Sequence, residues 1–152
     1  MQRAVIALAL LAAACSSGGG QNAQIIPPEL ELVELVGPSD IGFPETRTEI
    51  QYEMRVANRS SEPITLRRIE ISSVGSGAYA LRRDRFPFHE RIEPDGFSSV
   101  TFWAKAWTRS SLSGFVSTEP VTVRAIVYFE TPVGPFQRII TRELSQFPQG
   151  RR

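Results

Sequence analysis

Strict alternation of apolar and polar residues is the feature of this sequence that most constrains its fold. Residues 50–56 read Ile-Gln-Tyr-Glu-Met-Arg-Val, and residues 121–129 place Val, Val, Ala, Val and Phe at every second position. Because successive side chains of a β-strand point to opposite faces of the sheet, this period of two predicts half-buried strands. The domain has no stretch with the spacing of an amphipathic helix. We therefore expect an all-β protein.

Shorter alternations predict further strands, separated by turn-forming clusters at intervals of about 8–12 residues. These strands cover residues 30–35, 64–71, 79–81, 97–106 and 136–144. The alternation changes parity at Arg67 and Arg68, so a β-bulge is expected there. Residues 82–89, with Pro87 among them, are predicted to be irregular.

About seven antiparallel strands without a helix are typical of an immunoglobulin-like β-sandwich. A jelly roll or a small barrel is the alternative. The predicted domain covers residues 29–148, and residues 149–152 are expected to form a disordered tail. A domain of about 120 residues buries enough apolar surface to fold without disulfides.

The start of the chain has a different pattern from the rest. Arg3 supplies a positive charge, residues 4–14 are apolar, and residues 16–24 are small and polar. A charged start followed by a short apolar run is typical of a secretory signal peptide. As a helix this run would be about 16 Å long, roughly half the thickness of the hydrocarbon core, which is too short for a membrane span.

Residues 11–15, Leu-Ala-Ala-Ala-Cys, resemble the lipobox of bacterial lipoproteins, with the leucine four positions before the cysteine where the family usually has three. The resemblance implies cleavage before Cys15 and attachment of a diacylglyceryl group to its thiol. Residues 1–14 would then be a helical signal peptide, and residues 15–28 a lipidated cysteine with a flexible spacer. Ser16 after the cysteine implies an outer-membrane location facing the periplasm. The alternative is an ordinary secretory signal with an incidental cysteine.

A second resemblance covers residues 56–66, Val-Ala-Asn-Arg-Ser-Ser-Glu-Pro-Ile-Thr-Leu. This strand, Asn-containing turn and Pro-hydrophobic strand entry looks like the second and third strands of the desiccation-related LEA14/WHy domains. The family typically has Asn-Pro where this chain has Asn58-Arg59. Those domains are immunoglobulin-like sandwiches that occur in bacteria as lipoproteins, so the resemblance implies this fold and a non-catalytic role.

The composition argues against several classes of function. A formal net charge of +1, from 17 basic and 16 acidic residues, lacks the basic excess of a nucleic-acid-binding domain. Cys15 is the single cysteine, so neither a disulfide framework nor a zinc site of several thiolates is expected. His89 is the single histidine, and no nucleophile or phosphate-binding motif occurs. We expect no catalytic residues, no metal site and no cofactor.

An arginine-rich segment is the first candidate binding site. Guanidinium groups bind phosphates and carboxylates through paired hydrogen bonds, so the segment would suit an anion such as a lipid headgroup, lipopolysaccharide or a peptidoglycan carboxylate. The alternative is a solvated loop whose arginines pair partly with Asp84 and Glu90. The candidate anion-binding residues are Arg82, Arg83, Arg85 and Arg91.

Two tryptophans form the second candidate site. Trp103 and Trp107 have the same parity in the strand predicted at residues 97–106, opposite to that of Val100. Exposed tryptophans would indicate a protein-binding face. The alternative is that these side chains are buried, as large aromatic residues usually are.

These patterns lead to two hypotheses from different classes. The first is a non-catalytic envelope lipoprotein, anchored in the membrane through Cys15 and serving as a protein-interaction or structural module, with another envelope protein as its partner. The alternative is a binding module for an anionic or amphipathic small ligand, which would need a pocket at one end of the sandwich, near residues 82–91 and 108–120. The sequence leaves the oligomeric state open, and it predicts no nucleic-acid partner.

Overall fold

The computed structural model describes residues 26–37, 48–75, 77–108 and 119–144. The predicted signal peptide, Cys15, most of the spacer and the C-terminal tail lie outside these ranges. Within them the regular structure is entirely β, and no helix is long and apolar enough to span a membrane. The strands are β1 (Glu29–Val36), β2 (Thr48–Ala57), β3 (Ile64–Val74), β4 (Tyr79–Leu81), β5 (Asp84–Ile92), β6 (Phe97–Thr108), β7 (Val121–Thr131) and β8 (Gly134–Leu144).

The strands form two antiparallel sheets of four. Sheet A has the order β1-β2-β6-β4, and sheet B has the order β5-β3-β7-β8. The sets β1-β2-β6 and β3-β7-β8 correspond to strands A-B-E and C-F-G of an immunoglobulin sandwich, with β5 beside β3 as C′ lies beside C. The all-β class and the sandwich architecture predicted from the alternation are confirmed.

The core lies between the two sheets and is built from the residues whose alternation was clearest. Every second residue from Ile50 to Val56 and from Val121 to Phe129 is at most 1% exposed. The aromatic rings of Phe86 in sheet B and Phe102 in sheet A lie 4.6 Å apart, centroid to centroid, and join the two layers. Burial of this apolar surface is the main favourable contribution to folding.

The structure has eight strands, and it corrects the irregular conformation predicted for residues 82–89. Arg82 and Arg83 lie outside the regular structure, but residues 84–92 form β5, an edge strand of sheet B in which Pro87 is tolerated because an edge strand needs fewer hydrogen-bond donors. Phe86 and Phe88 pack against the core, while the charged residues between them are exposed. Apolar and polar residues do alternate in this segment, but Pro87 and the many arginines argued against a strand.

The predicted bulge and the predicted edge strand are both confirmed. The pairing of β3 with each of its neighbours shifts register between Leu66 and Arg68, which restores the inward direction of Ile69. Tyr79–Leu81 is the short edge strand of sheet A. At the N-terminal side, Pro28 is already buried, so packing begins one residue before the predicted boundary at Glu29.

A buried asparagine fastens two turns at one end of the sandwich. The Asn58 side-chain amide donates to the backbone carbonyls of Glu62 (2.8 Å), Glu93 (3.1 Å) and Ile92 (3.2 Å). Its carbonyl oxygen accepts hydrogen bonds from the Ser60 backbone N–H and hydroxyl. Asn58 therefore has a structural role, holding the β2–β3 turn against the β5–β6 turn.

Candidate functional site

The arginine-rich segment surrounds a buried carboxylate on the outer face of sheet B. Glu70 follows the bulge of β3, and its side chain is only 3% exposed. Arg68 Nε lies 3.2 Å and Arg85 Nε 3.3 Å from Glu70 Oε1. Arg83 donates to Glu70 Oε2 through Nε at 2.8 Å and through a second guanidinium nitrogen. We call Arg68, Glu70, Arg83 and Arg85 the Glu70 cluster.

The charge state of Glu70 follows from two opposing effects. Burial alone would raise the pKa of Glu70, but the hydrogen bond from Arg83 and the positive charges of Arg83, Arg85 and Arg68 outweigh it. The net effect is a pKa below the ordinary 4.5, so the carboxylate is ionised at neutral pH. The same hydrogen bond raises the pKa of Arg83. The guanidinium groups are thus already engaged by an anion that belongs to the protein.

The four arginines predicted to bind an anion do not converge on one point. Arg83 and Arg85 bind Glu70, whereas Arg91 pairs with Glu93 at 2.7 Å. Arg85 and Arg91 are six positions apart on one strand, which is about 20 Å. The Arg82 guanidinium instead lies 6.0 Å from the ring centroid of Trp107.

The carboxylates predicted to pair with these arginines also differ from those in the structure. The carboxylates that hold Arg83, Arg85 and Arg91 are those of Glu70 and Glu93, not those of Asp84 and Glu90. Asp84 accepts a hydrogen bond from the backbone N–H of Arg85, and Glu90 accepts one from the Ser98 hydroxyl. A carboxylate adjacent in sequence points to the opposite face of a strand, so the partners come from neighbouring strands and turns instead.

The single histidine lies on β5 rather than in a loop. His89 is exposed on the outer face of sheet B, and its Nδ1 is a hydrogen-bond partner of the Arg67 guanidinium. Across the described ranges, no group of three His, Cys, Asp or Glu side chains is placed to hold a metal ion.

The tryptophans lie on the outer face of sheet A, as their parity predicted. Trp103, directly opposite Gln51 of β2, leaves 47% of its surface exposed in the body of a strand. Trp107 lies opposite Ala80 of β4 and is half-buried. Of the two alternatives, the structure therefore supports exposure for Trp103 and partial burial for Trp107.

The surroundings of the tryptophans extend the apolar surface. Trp107 lines a shallow groove of about 380 Å³ with Ala80, Leu81 and Arg82. On β1, at the level of Trp103 and two strands away, Leu35 is 44% exposed beside a register shift. We call the outer surface of sheet A around Trp103 and Trp107 the tryptophan face.

A second groove opens on the outer face of sheet B beside the bulge. It has a volume of about 620 Å³, and its walls include Arg67, Arg68, Tyr128 and Phe136. The Arg68 guanidinium lies 4.0 Å from the centroid of the Tyr128 ring, in a cation–π arrangement. Arg67 Nε is 3.3 Å from a carboxylate oxygen of Glu130. The sequence predicts a ligand pocket near residues 82–91 and 108–120. Pro87 lines the present groove and Arg82 lines the groove beside Trp107, whereas residues 109–118 lie outside the described ranges.

Sequence reasoning missed a chain of hydrogen bonds among three side chains of sheet A, two of which are buried tyrosines. The Tyr79 hydroxyl donates to Glu34 Oε2 at 2.6 Å, and the Tyr52 hydroxyl lies 2.7 Å from that of Tyr79. Since Tyr79 gives its one proton to Glu34, Tyr52 donates to Tyr79. Burial raises the pKa of both tyrosines, so both are neutral donors. The available signal was that Glu34 shares its parity with Leu30 and Leu32, which face inward.

Comparison with known proteins identifies the fold and nothing narrower. No family model and no curated protein matches this chain. Among solved structures, a structural-genomics target designated SoR45 matches with a TM-score of 0.54 and 10% identity over 86% of this chain and 97% of its own. A Bordetella pertussis protein named as a candidate ApaA protein matches with a TM-score of 0.54 and 13% identity over 82% of this chain and 96% of its own. At such low identity, these likenesses support the sandwich architecture alone.

Proposed function

We propose that this protein is a non-catalytic interaction module of the bacterial cell envelope, anchored to the outer membrane through a diacylglyceryl group on Cys15 and facing the periplasm. Its partner is another envelope protein, which binds the tryptophan face. The observation that carries the proposal is the exposure of Trp103 within a regular strand. Tryptophan is enriched at the energetic centres of protein interfaces because it buries a large area at low conformational cost.

The contrast with the outer face of sheet B supports this choice of surface. There Glu70 holds the guanidinium groups of Arg68, Arg83 and Arg85, so a ligand anion at these arginines would have to compete with a buried carboxylate that is already in place. Nearly half of the Trp103 surface is exposed to solvent, so a partner would meet no competing side chain there. A partner that covers Trp103 removes apolar area from water without first breaking an ion pair.

The proposed lipid anchor would bring the tryptophan face close to other envelope proteins. A single acyl chain holds a protein only marginally, whereas the two or more chains of a lipoprotein hold it stably. The nine-residue spacer predicted from the sequence at residues 16–24 would place the domain about 15–18 Å from its attachment point on average, by the dimensions of Gly/Ser-rich linkers. Confinement near the membrane raises the effective concentration of the domain toward other envelope proteins, so a weak interface is sufficient.

The anchor is tested by replacing Cys15 with Ser in cells. We expect the Cys15→Ser protein to move from the membrane fraction to the soluble fraction, because the thiol that carries the lipid is gone. Mass spectrometry of the unchanged protein should find residues 1–14 removed and acyl mass on Cys15. Membrane retention of the Cys15→Ser protein would contradict the anchor.

The binding surface is tested by photo-crosslinking in intact cells. A photoreactive phenylalanine at position 103 should capture one discrete envelope protein, identified by mass spectrometry. Position 97 is the matched control, because Phe97 is 65% exposed on the same face of the same strand. Capture of the same proteins from both positions, or of none from position 103, would count against the tryptophan face.

Ligand binding is the second candidate function, and the groove of about 620 Å³ beside the bulge favours it. Two arginines and the aromatic residue Tyr128 are among the residues that line this groove, which would suit an anionic or amphipathic small molecule. It ranks second because Glu130 and Glu70 already pair with Arg67 and Arg68. An NMR titration with a short-chain alkyl phosphate should shift signals of residues lining the groove if this function holds, and leave them unchanged if it does not.

A further inference from the structure

The sandwich has four sheet edges, and three of them are poor templates for another strand. β4 is only three residues long, β1 has a register shift between Glu34 and Val36, and β5 carries Pro87, which has no N–H to donate. Short strands, bulges and prolines are the devices by which natural sheets block edge pairing.

The fourth edge, β8, is long and regular. Its eleven residues pair with β7 without a register shift from Gly134 to Leu144. No described strand is hydrogen-bonded to its other side, although β1 of sheet A approaches β8 across the end of the sandwich core. After Pro135, its backbone presents alternate N–H and C=O groups along that free side. Such an edge can accept a further strand through main-chain hydrogen bonds.

Two arginines give this edge a specific charge pattern. Arg138 and Arg142 lie opposite Val127 and Val123, so they point toward the inner face, where the pattern of a sandwich strand calls for apolar residues. Both are exposed, and within the described part of the chain neither makes an ion pair. Ile140, between them, is partly buried against the core.

We propose that the free edge of β8 binds an extended acidic segment of a partner protein, which adds to sheet B as a fifth strand. The segment carries two carboxylates that flank an apolar residue, in the pattern acidic-x-apolar-x-acidic. Side chains directly opposite on neighbouring strands are about 5 Å apart, so the carboxylates reach Arg138 and Arg142 while the apolar residue covers Ile140. The pattern of β8 reads the same in both directions around Ile140, so a parallel and an antiparallel segment both fit.

Charge complementarity selects this occupant over a second copy of the chain. In an antiparallel pair of two β8 strands centred on Ile140, Arg138 of each copy would face Arg142 of the other, and like charges directly opposite are destabilising. Inward-pointing charges normally discourage edge pairing, and here they would exclude apolar or basic strands while favouring an acidic one. The site is separate from the tryptophan face, which belongs to sheet A.

The probe for this proposal is a synthetic capped peptide, Val-Thr-Glu-Thr-Val-Thr-Glu-Thr-Val, titrated into the full-length chain in mild detergent. We expect binding with slowed hydrogen exchange at the β8 amides. Reversal of both charges (Arg138→Glu with Arg142→Glu) should weaken binding of this peptide by about tenfold or more and create binding of the peptide with Lys in place of Glu. Both side chains are exposed, so we expect the variant to fold, as circular dichroism checks.

Two controls make the test decisive. Arg124→Glu changes an exposed arginine of β7, away from the edge, and should leave the affinity unchanged. Trp103→Thr should also bind the peptide normally, so that failure of the tryptophan face and failure of the β8 edge are distinguishable. No binding at about 1 mM peptide, equal binding by the charge-reversed variant, or self-association of the chain through β8 would overturn the proposal.

Discussion

On the outer face of sheet B, Glu70 holds three guanidinium groups, whereas on the outer face of sheet A, Trp103 leaves nearly half of its surface in water. Both faces belong to one sandwich, and both carry residues that commonly form binding sites. The difference shows that residue type does not decide availability. An arginine is available to a ligand only where the fold does not place a carboxylate beside it. For Arg83 and Arg85 that carboxylate is Glu70 of β3, which lies thirteen or more positions away in sequence.

The difference between the two outer faces predicts which charged side chain contributes most to the free energy of unfolding. Glu70→Gln should lower the free energy of unfolding by about 2 kcal/mol, because it removes a buried charge that three arginines neutralise and leaves those arginines repelling one another. Urea unfolding followed by tryptophan fluorescence measures this loss.

Glu53→Gln is the matched control on sheet A. Glu53 pairs with Arg55 at 2.8 Å, and Arg55 also pairs with Glu31, so loss of one carboxylate leaves the guanidinium with another. We expect a loss below about 1 kcal/mol. Equal losses for Glu53→Gln and Glu70→Gln would show that the two faces do not differ in this respect.

The stabilising effect of Glu70 should depend on pH in a defined direction. Its pKa is lowered in the folded state, so its contribution is fully present above the unfolded value of 4.5 and is lost as pH falls through the folded value. The difference in unfolding free energy between the unchanged protein and Glu70→Gln should therefore be constant near neutral pH and shrink below pH 4.5. A difference that grows with acid would contradict the lowered pKa.

Two arginines of the same segment should differ in their effect. Arg83→Ala should lower the melting temperature, because Arg83 binds the buried Glu70, whereas Arg91→Ala should leave it nearly unchanged, because its partner Glu93 is exposed. Differential scanning calorimetry of the two variants measures the contrast. A larger effect for Arg91→Ala would show that Arg91, rather than Arg83, stabilises the fold.

Only a small effect on stability is expected on the tryptophan face. Trp103→Thr retains a side chain that suits a strand and should change the free energy of unfolding by less than about 1 kcal/mol. In cells, the same variant should lose contact with the proposed partner, as co-purification with that partner would show. A strongly destabilised Trp103→Thr protein would mean that Trp103 serves the fold rather than a partner.

Much of the fold could be predicted because its signals are local. The alternation in β2, β6 and β7, the parity change at the bulge and the outward direction of Trp103 all follow from side-chain geometry within one strand. β5 was missed because Pro87 is a strong negative signal for a central strand, and the sequence does not show that this strand lies at an edge.

The partners of the polar residues could not be predicted in the same way. Glu34, Tyr79 and Tyr52 come from three strands, and the carboxylate of Glu34 is 45 positions from the hydroxyl that binds it. Such contacts depend on the register between strands and on the order of strands in each sheet. A single sequence constrains these only weakly, because many strand arrangements bury the same apolar faces.

The sequence by itself therefore determined that the chain forms an all-β sandwich, which residues face its core, and that residues 11–15 resemble a lipobox. Only the tertiary structure decided that the arginines near Glu70 are internally paired and that Trp103 is open to solvent. It also decided that β8 is a long edge strand with two arginines that make no ion pair among the residues the structure describes. The reason is physical. Alternation is fixed by covalent geometry within a strand, whereas the availability of a side chain depends on which distant strand the fold places beside it.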